Sequence, residues 1–318
     1  LVVPKSAAPG TLVRSWVAHT NSINSVAISP DGREIISASN DGTAKRWDAA
    51  TGRLLGTFGP IVGASEVVSF HPVSIARSGY TIATGHGDGV VRLWGLEKKN
   101  QLLNTLEKHK GPVWDVALSP DGRKVVSVDH EGEVKIWDAV TGGLIRTLSP
   151  KVGWLETVDF SPDGALIVVA GVGGRLLVYN VASGQQISSH KAHAETVSSA
   201  VFVRTGQFIV SGAYDKYVVI TDVLSGQVLK RLSGHTGYVR SVAVTSDARF
   251  IVSGSYDKTV KIWEYGSGQL IKSIPAHDEI IESVALAPDG RWFVSAGCDG
   301  RAANKSCTRS DLRIWSMP

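Results

Sequence analysis

An aromatic residue closes a short apolar strand at near-regular intervals along this chain: Trp47, Trp94, Trp137, Tyr179, Trp263 and Trp315. Thr221 holds the same place between Tyr179 and Trp263. The steps are 47, 43, 42, 42, 42 and 52 residues. A period of this length marks a supersecondary unit that cannot bury its apolar face alone, so its copies must stack. The two long steps are attributed to a lengthened turn over His71 to Tyr80 and to an insertion between Arg301 and Ser310.

Within each unit apolar and polar residues alternate with period two and are interrupted by turn chemistry, which specifies strands. Ser-Val-Ala-Ile-Ser-Pro-Asp-Gly spans 25–32, and Ser-Pro-Asp-Gly returns at 119–122 and 161–164, with Ala-Pro-Asp-Gly at 287–290. Proline sets φ for the turn and glycine accepts the positive φ that follows. In the first unit a second strand begins at Glu34, a third ends at Trp47, and a fourth runs from Arg53 to Phe58. No stretch has helical periodicity. The reading is all-β: a seven-bladed β-propeller of four-stranded antiparallel blades.

Further markers hold the same register. Trp-Asp stands at 47–48 and 137–138 and Gly-His at 234–235, with variants at Ala18-His19, Lys108-His109, Ala192-His193 and Ala276-His277. On these residues the chain resembles the WD-repeat β-propellers over essentially its whole length. Gly10 to His19 reads like Gly268 to His277, so the N-terminal segment is expected to supply the outer strand of the last blade and close the ring, which avoids a large unpaired sheet edge. Residues 11–318 are therefore expected to form one complete propeller domain, preceded by a linker-like segment, 1–10.

His, Ser, an acid and Trp recur at fixed offsets. The sets are His19, Ser37, Asp41 and Trp47; His109, Ser127, Glu131 and Trp137; His193, Ser211 and Asp215; His235, Ser253, Asp257 and Trp263; His277, Ser295, Asp299 and Trp315. A hydrolase also needs Ser, His and an acid, but a catalytic constellation has no reason to occur five times around a ring. The resemblance implies buried hydrogen-bond chains instead, in which each interior donor and acceptor finds a partner. The second unit keeps Thr84, Asp88 and Trp94 without the His. The fourth keeps almost none of the set and is expected to depend on apolar packing. Walker, His-Glu-x-x-His and Cys-x-x-Cys patterns are absent from the sequence. No catalytic residue, metal or cofactor is expected.

The resemblance also implies that partners bind on the narrow face around the central channel, at three positions per blade. Here those positions include Trp114, His130, Trp154, Glu156, Tyr214, Tyr238, Arg240, Tyr256 and Glu282. Trp, Tyr and Arg are enriched at binding hot spots. The expected function is therefore a non-catalytic scaffold for a protein or peptide, monomeric as an isolated domain. The alternative is an accessory propeller of a larger protein whose activity lies outside this chain. A sugar or nucleic-acid ligand is less favoured, since a sugar site would want more carboxylates and amides beside the tryptophans, and nucleic acid more basic residues on the same face.

Composition agrees: 43% hydrophobic and 19% charged residues exclude bulk disorder, and a formal charge of +4 without basic runs gives no argument for nucleic acid. No apolar stretch approaches the roughly 20 residues needed to cross a bilayer, so membrane insertion is not expected. The two cysteines, Cys298 and Cys307, flank the insertion in the seventh unit. Either they bridge, which leans toward an exported or oxidising setting, or they are neighbouring reduced thiols in a cytoplasmic one.

Overall fold

The computed structural model describes residues 8–58, 70–75, 81–96, 100–106, 109–302 and 307–318. Seven four-stranded antiparallel sheets form a closed ring. The innermost strands are Ile23–Ile28, Phe70–Ile75, Val113–Leu118, Leu155–Phe160, Val197–Phe202, Val239–Val244 and Ile281–Leu286, and each touches its counterparts on both sides. In blade one the sheet continues outward through Glu34–Ser39, Ala44–Asp48 and Leu54–Phe58. Blade seven combines Ile281–Leu286, Trp292–Arg301 and Cys307–Ser316 with Leu12–His19 from the other end of the chain. Leu12 pairs with Trp315 and Trp16 with Leu312, so the ring closes through an antiparallel ladder that shifts register between Leu12 and Arg14 and between Val17 and His19.

Two local expectations are corrected. His71 to Ile75, expected in a long turn, belongs to the inner strand Phe70–Ile75, which pairs with Thr81–His86; residues 76–80 lie outside the described residues. Blade four, expected to be free of helix, carries a three-residue 3-10 turn, Val172–Gly174, in which Gly173 takes φ of 84°. That left-handed conformation costs a glycine little, because it has no Cβ to clash.

The recurring tryptophan is the wedge between blades. Trp94 packs with Ile36 and Phe58 of blade one, Trp137 with Leu93 and Leu106 of blade two, and Trp315 with Ile262 and Ile274 of blade six. Trp47 meets Leu312 and Ile314 of blade seven. Tyr179 does the same service in blade four, against Val126 and Ile136 of blade three. Each blade thus seals the face of its predecessor, and the core is a ring of such seams.

Backbone groups at the inner edges need partners too. Neighbouring blades supply them: Val26 N–H donates to Ser283 Oγ at 3.1 Å, Val158 to Asp115 Oδ2 at 2.8 Å, Ala200 to Thr157 Oγ1 at 3.2 Å, Val242 to Ser199 Oγ at 3.2 Å and Val284 to Ser241 Oγ at 3.1 Å. A polar side chain facing the channel therefore ties each of these blades to the next. These bonds serve cohesion between blades.

Candidate functional site

Contrary to a set confined to one blade, each repeated polar set joins a histidine at or just after the outer strand of the preceding blade to a serine, an acid and usually a tryptophan of the blade that follows. In blade one Trp47 Nε1 donates to Ser37 Oγ at 2.8 Å, Ser37 lies 2.7 Å from His19 Nε2, and His19 Nδ1 lies 2.8 Å from Asp41. All donors and acceptors are used if Ser37 donates to Nε2 and the neutral imidazole donates from Nδ1 to the carboxylate. Blades six and seven repeat the chain through Trp263, Ser253, His235 and Asp257, and through Trp315, Ser295, His277 and Asp299, with every link at 2.8 Å. Blade five keeps His193 to Ser211 at 2.8 Å and to Asp215 at 2.9 Å, with buried Thr221 at the tryptophan position.

Blades two and three depart from expectation. In blade three Trp137 and His109 meet Ser127 at 3.0 and 2.6 Å, but Glu131 is not the acid. Its side chain is exposed, and His109 Nδ1 instead faces Asp129 at 3.4 Å and Glu133 at 3.7 Å. Asp129 is drawn inward because its Oδ1 caps the turn, accepting from the Glu131 and Glu133 amides. In blade two a histidine is present after all: His86, from within the second strand, places Nε2 2.8 Å from Thr84 Oγ1, which accepts from Trp94 Nε1 at 2.8 Å. The sequence offset conceals it because it arrives from a different strand.

These chains set an acid limit on stability. Burial pushes the His19 ring below its ordinary value, so its stabilising contribution is complete above about pH 6.5 and is lost as pH falls. Burial alone would raise Asp41, but the His19 hydrogen bond and charge, with Thr43 and the Thr20 amide, hold it well below the usual range. Asp129, Asp215, Asp257 and Asp299 are lowered likewise, against the pull of burial, by the histidines beside them. Their contribution is present above about pH 4 and lost below it. Burial drives Asp115 the other way, up to about 7, which offsets the histidine loss between pH 7 and 4. Urea midpoints are expected to change little from pH 7 to 5 and fall steeply below about pH 4; a midpoint unchanged at pH 3 would contradict the assignment.

The channel mouth is built by a repeated backbone irregularity. Each of six inner strands shifts register by one residue near its start, and the residue in the shift is Asn24, Trp114, Glu156, Ser198, Arg240 or Glu282. A β-bulge leaves its extra residue out of the ladder and re-aims its side chain. The strand opposite is pinned there as well. His130 N–H donates to Pro112 O at 3.1 Å, Tyr214 to Thr196 O at 2.9 Å and Tyr256 to Tyr238 O at 2.9 Å. The three candidate contact positions of a blade therefore move as one backbone unit.

Two ring stacks result. His130 lies between Trp114 and Trp154, at centroid distances of 5.5 and 5.4 Å, the second pair parallel within 2°. Tyr214 stacks on Tyr238 at 4.6 Å, and Tyr238 leans on Tyr256 at 5.8 Å. Trp154 is 41% exposed and Tyr238 40%, so both residues remain partly in water. Beside the tyrosine stack Arg240 Nε meets Glu282 at 3.0 Å and Nη1 meets Glu156 at 3.0 Å, with Tyr214 OH also donating to Glu156 at 3.0 Å. Arg240, expected as an outward contact, spends its charge inside this network. Arg240, Glu156 and Glu282 also line a cavity of 230 Å³ among the inner strands.

Other expectations are located as follows. Cys298 and Cys307 form a disulfide across the extended hairpin of blade seven, whose tip, 303–306, lies outside the described residues, as does most of the linker-like segment. Among the described residues no helix is long and apolar enough to cross a membrane.

Seven blades joined by this seam chemistry define a WD-type propeller. The model of the family described as "WD domain, G-beta repeat" matches residues 10–48, 100–138, 184–222, 226–264 and 268–302, and the chain belongs to that family. Among similar proteins, mitochondrial division protein 1 of Schizosaccharomyces pombe is 34% identical over 44% of this chain and 23% of its own. Cilia- and flagella-associated protein 52 of Chlamydomonas reinhardtii is 30% identical over 36% and 18%. The guanine nucleotide-binding protein subunit beta of Oryza sativa is 26% identical over 43% and 36%. The chain thus spans well under half of each of these relatives. Members of the family are generally non-enzymatic and bind proteins.

Proposed function

We propose that this chain is a non-catalytic scaffold that binds a protein or peptide at the mouth of its channel, on blades three to six. The observation that carries the reading is the pair of ring stacks on bulged inner strands. Trp and Tyr offer large, stiff contact area at low entropic cost, and rings presented by a rigid sheet lose little further freedom on binding. The polar sets offer no competing enzymatic reading, because each histidine and serine is consumed by its neighbours where one blade passes into the next. That the relatives are longer chains supports a second reading, in which the scaffold serves a larger protein whose activity lies elsewhere. The disulfide favours an oxidising setting for either.

Affinity capture with the intact chain beside a Trp154→Ala/Tyr238→Ala variant tests the proposal. Both substitutions fall on exposed rings, so circular dichroism should remain unchanged. A partner retained by the intact chain and reduced about tenfold or more on the variant is the expected result. Equal capture by both would move the site to another face.

A further inference from the structure

Blade three departs from the regular polar set in a way that gathers metal donors. Blades one and six place Ser39 and Thr43, and Ser255 and Thr259, two residues before and after the acid. Blade three has Asp129 and Glu133 at those places, while the residue at the acid position, Glu131, is exposed. In blades one, five, six and seven the histidine Nδ1 meets its carboxylate at 2.8 or 2.9 Å, a full hydrogen bond. His109 is 2% exposed and Glu133 7%, yet neither His109 Nδ1 nor Glu133 Oε2 has a hydrogen-bond partner among the described residues. Burying polar atoms unpartnered is costly, so the pair asks for a third party.

The geometry suits a cation. Asp129 Oδ2 and Glu133 Oε2 lie 3.4 and 3.7 Å from His109 Nδ1, and one donor atom from each residue falls within 4.8 Å of the others. A tetrahedral ion with bonds of about 2.0–2.1 Å holds its donors roughly 3.3 Å apart, so a small movement of the Glu133 side chain completes the set. Asp129 is already fixed, its Oδ1 by the Glu131 and Glu133 amides and its Oδ2 by the Gly111 amide. On the far side of the imidazole, Nε2 lies 2.6 Å from Ser127 Oγ. With Nδ1 on an ion, Nε2 carries the proton and donates to Ser127, the outer hydrogen bond that orients a ligating histidine. A cavity of 130 Å³ has Glu133 on its wall, a volume that holds water beside the carboxylate.

Two lysines oppose the ion. Buried Lys135 Nζ lies 3.6 Å from Glu133 Oε2, and exposed Lys110 Nζ lies 3.3 Å from Oε1. Lys135 and a metal therefore compete for one oxygen, which limits affinity.

We infer that His109, Asp129 and Glu133 bind a divalent first-row transition ion and that the ion clamps blade two to blade three. One imidazole beside two carboxylates matches Zn²⁺ better than Mg²⁺ or Ca²⁺, which seek sets of oxygen alone. His109 N–H is anchored on Gly89 O of blade two at 2.8 Å, whereas both carboxylates belong to blade three. The clamp does not depend on the channel-mouth reading.

Titration calorimetry of the chelator-treated full chain with Zn²⁺, in excess Mg²⁺, tests it. One ion per chain should bind and raise the thermal midpoint. Asp129→Asn and Glu133→Gln, which preserve shape, should each weaken binding about tenfold or more in chains whose circular dichroism is unchanged. Lys135→Met should tighten it, because Glu133 Oε2 is then free of the ammonium. Co²⁺ in place of Zn²⁺ should show the visible absorption of a four-coordinate ion, lost in Glu133→Gln. No saturable binding up to about 100 µM Zn²⁺ would overturn the inference. So would binding that both carboxylate variants leave unchanged, which would put the ion on exposed histidines elsewhere. Should those variants fail to fold, Lys135→Met decides: tighter binding supports the site, and unchanged or weaker binding removes it.

Discussion

Trp263→Ala is expected to lower the unfolding free energy by about 3–5 kcal/mol, the range for deleting a large buried aromatic. Trp263 is 1% exposed and fills the seam against Val210, Ile220 and Leu232 of blade five. Its indole also supplies the N–H that Ser253 accepts while that hydroxyl serves His235. Trp263→Phe separates the two contributions. It retains most of the packing, removes one buried hydrogen bond, and should cost about 1–3 kcal/mol. Urea unfolding followed by near-ultraviolet circular dichroism measures both, with Trp154→Ala as the exposed control expected within about 1 kcal/mol of the parent. A loss for Trp263→Ala no larger than that control would mean the seams do not carry the fold.

The second large effect concerns Arg240. Replacement by alanine leaves Glu156 and Glu282 facing each other's neighbourhood without a cation, and breaking a buried pair in this way costs about 3–5 kcal/mol. The sign with pH follows from Glu156. Burial already raises its folded pKa above the unfolded value, and removal of Arg240 raises it further. A carboxyl raised on folding destabilises the fold most when the unfolded state is ionised, so the loss should be largest above pH 7 and shrink toward pH 4. Arg240→Met combined with Glu156→Gln and Glu282→Gln should recover much of the stability, because no uncompensated charge is then buried. A full loss in the triple variant would show that Arg240 acts through shape instead of charge.

The two variants probe features of very different legibility. The Trp263 seam follows from a tryptophan that recurs every 42 or so residues at the end of an apolar strand, a pattern written into the order of residues. The Arg240 network does not. Residues 156, 240 and 282 lie 84 and 42 positions apart, and nothing local marks them as partners. Their candidacy rested on the position of each in its own repeat. Arg240 and Trp154 looked alike on that basis, yet one is engaged inside the face and the other offers its ring to water. Glu131 and His86 carry the same lesson. An offset counted along the chain selected Glu131, whereas the turn geometry brings Asp129 and Glu133 to His109 and lets His86 reach Thr84 from an unexpected strand.

The resemblance to WD-repeat propellers implied the partners within most polar sets, and the order of residues specifies the number of blades, the four strands in each and the closure of the ring. Those follow from local alternation, turn chemistry and a repeat that forces identical units to stack. Which side chains line the channel, and what they meet there, follows from the assembled ring alone. The bulges that re-aim Trp114, Glu156, Arg240 and Glu282 depend on how two strands pair, and the network joining four blades depends on ring curvature. Neither is a property of any short stretch of residues, because a register shift exists only relative to the strand beside it.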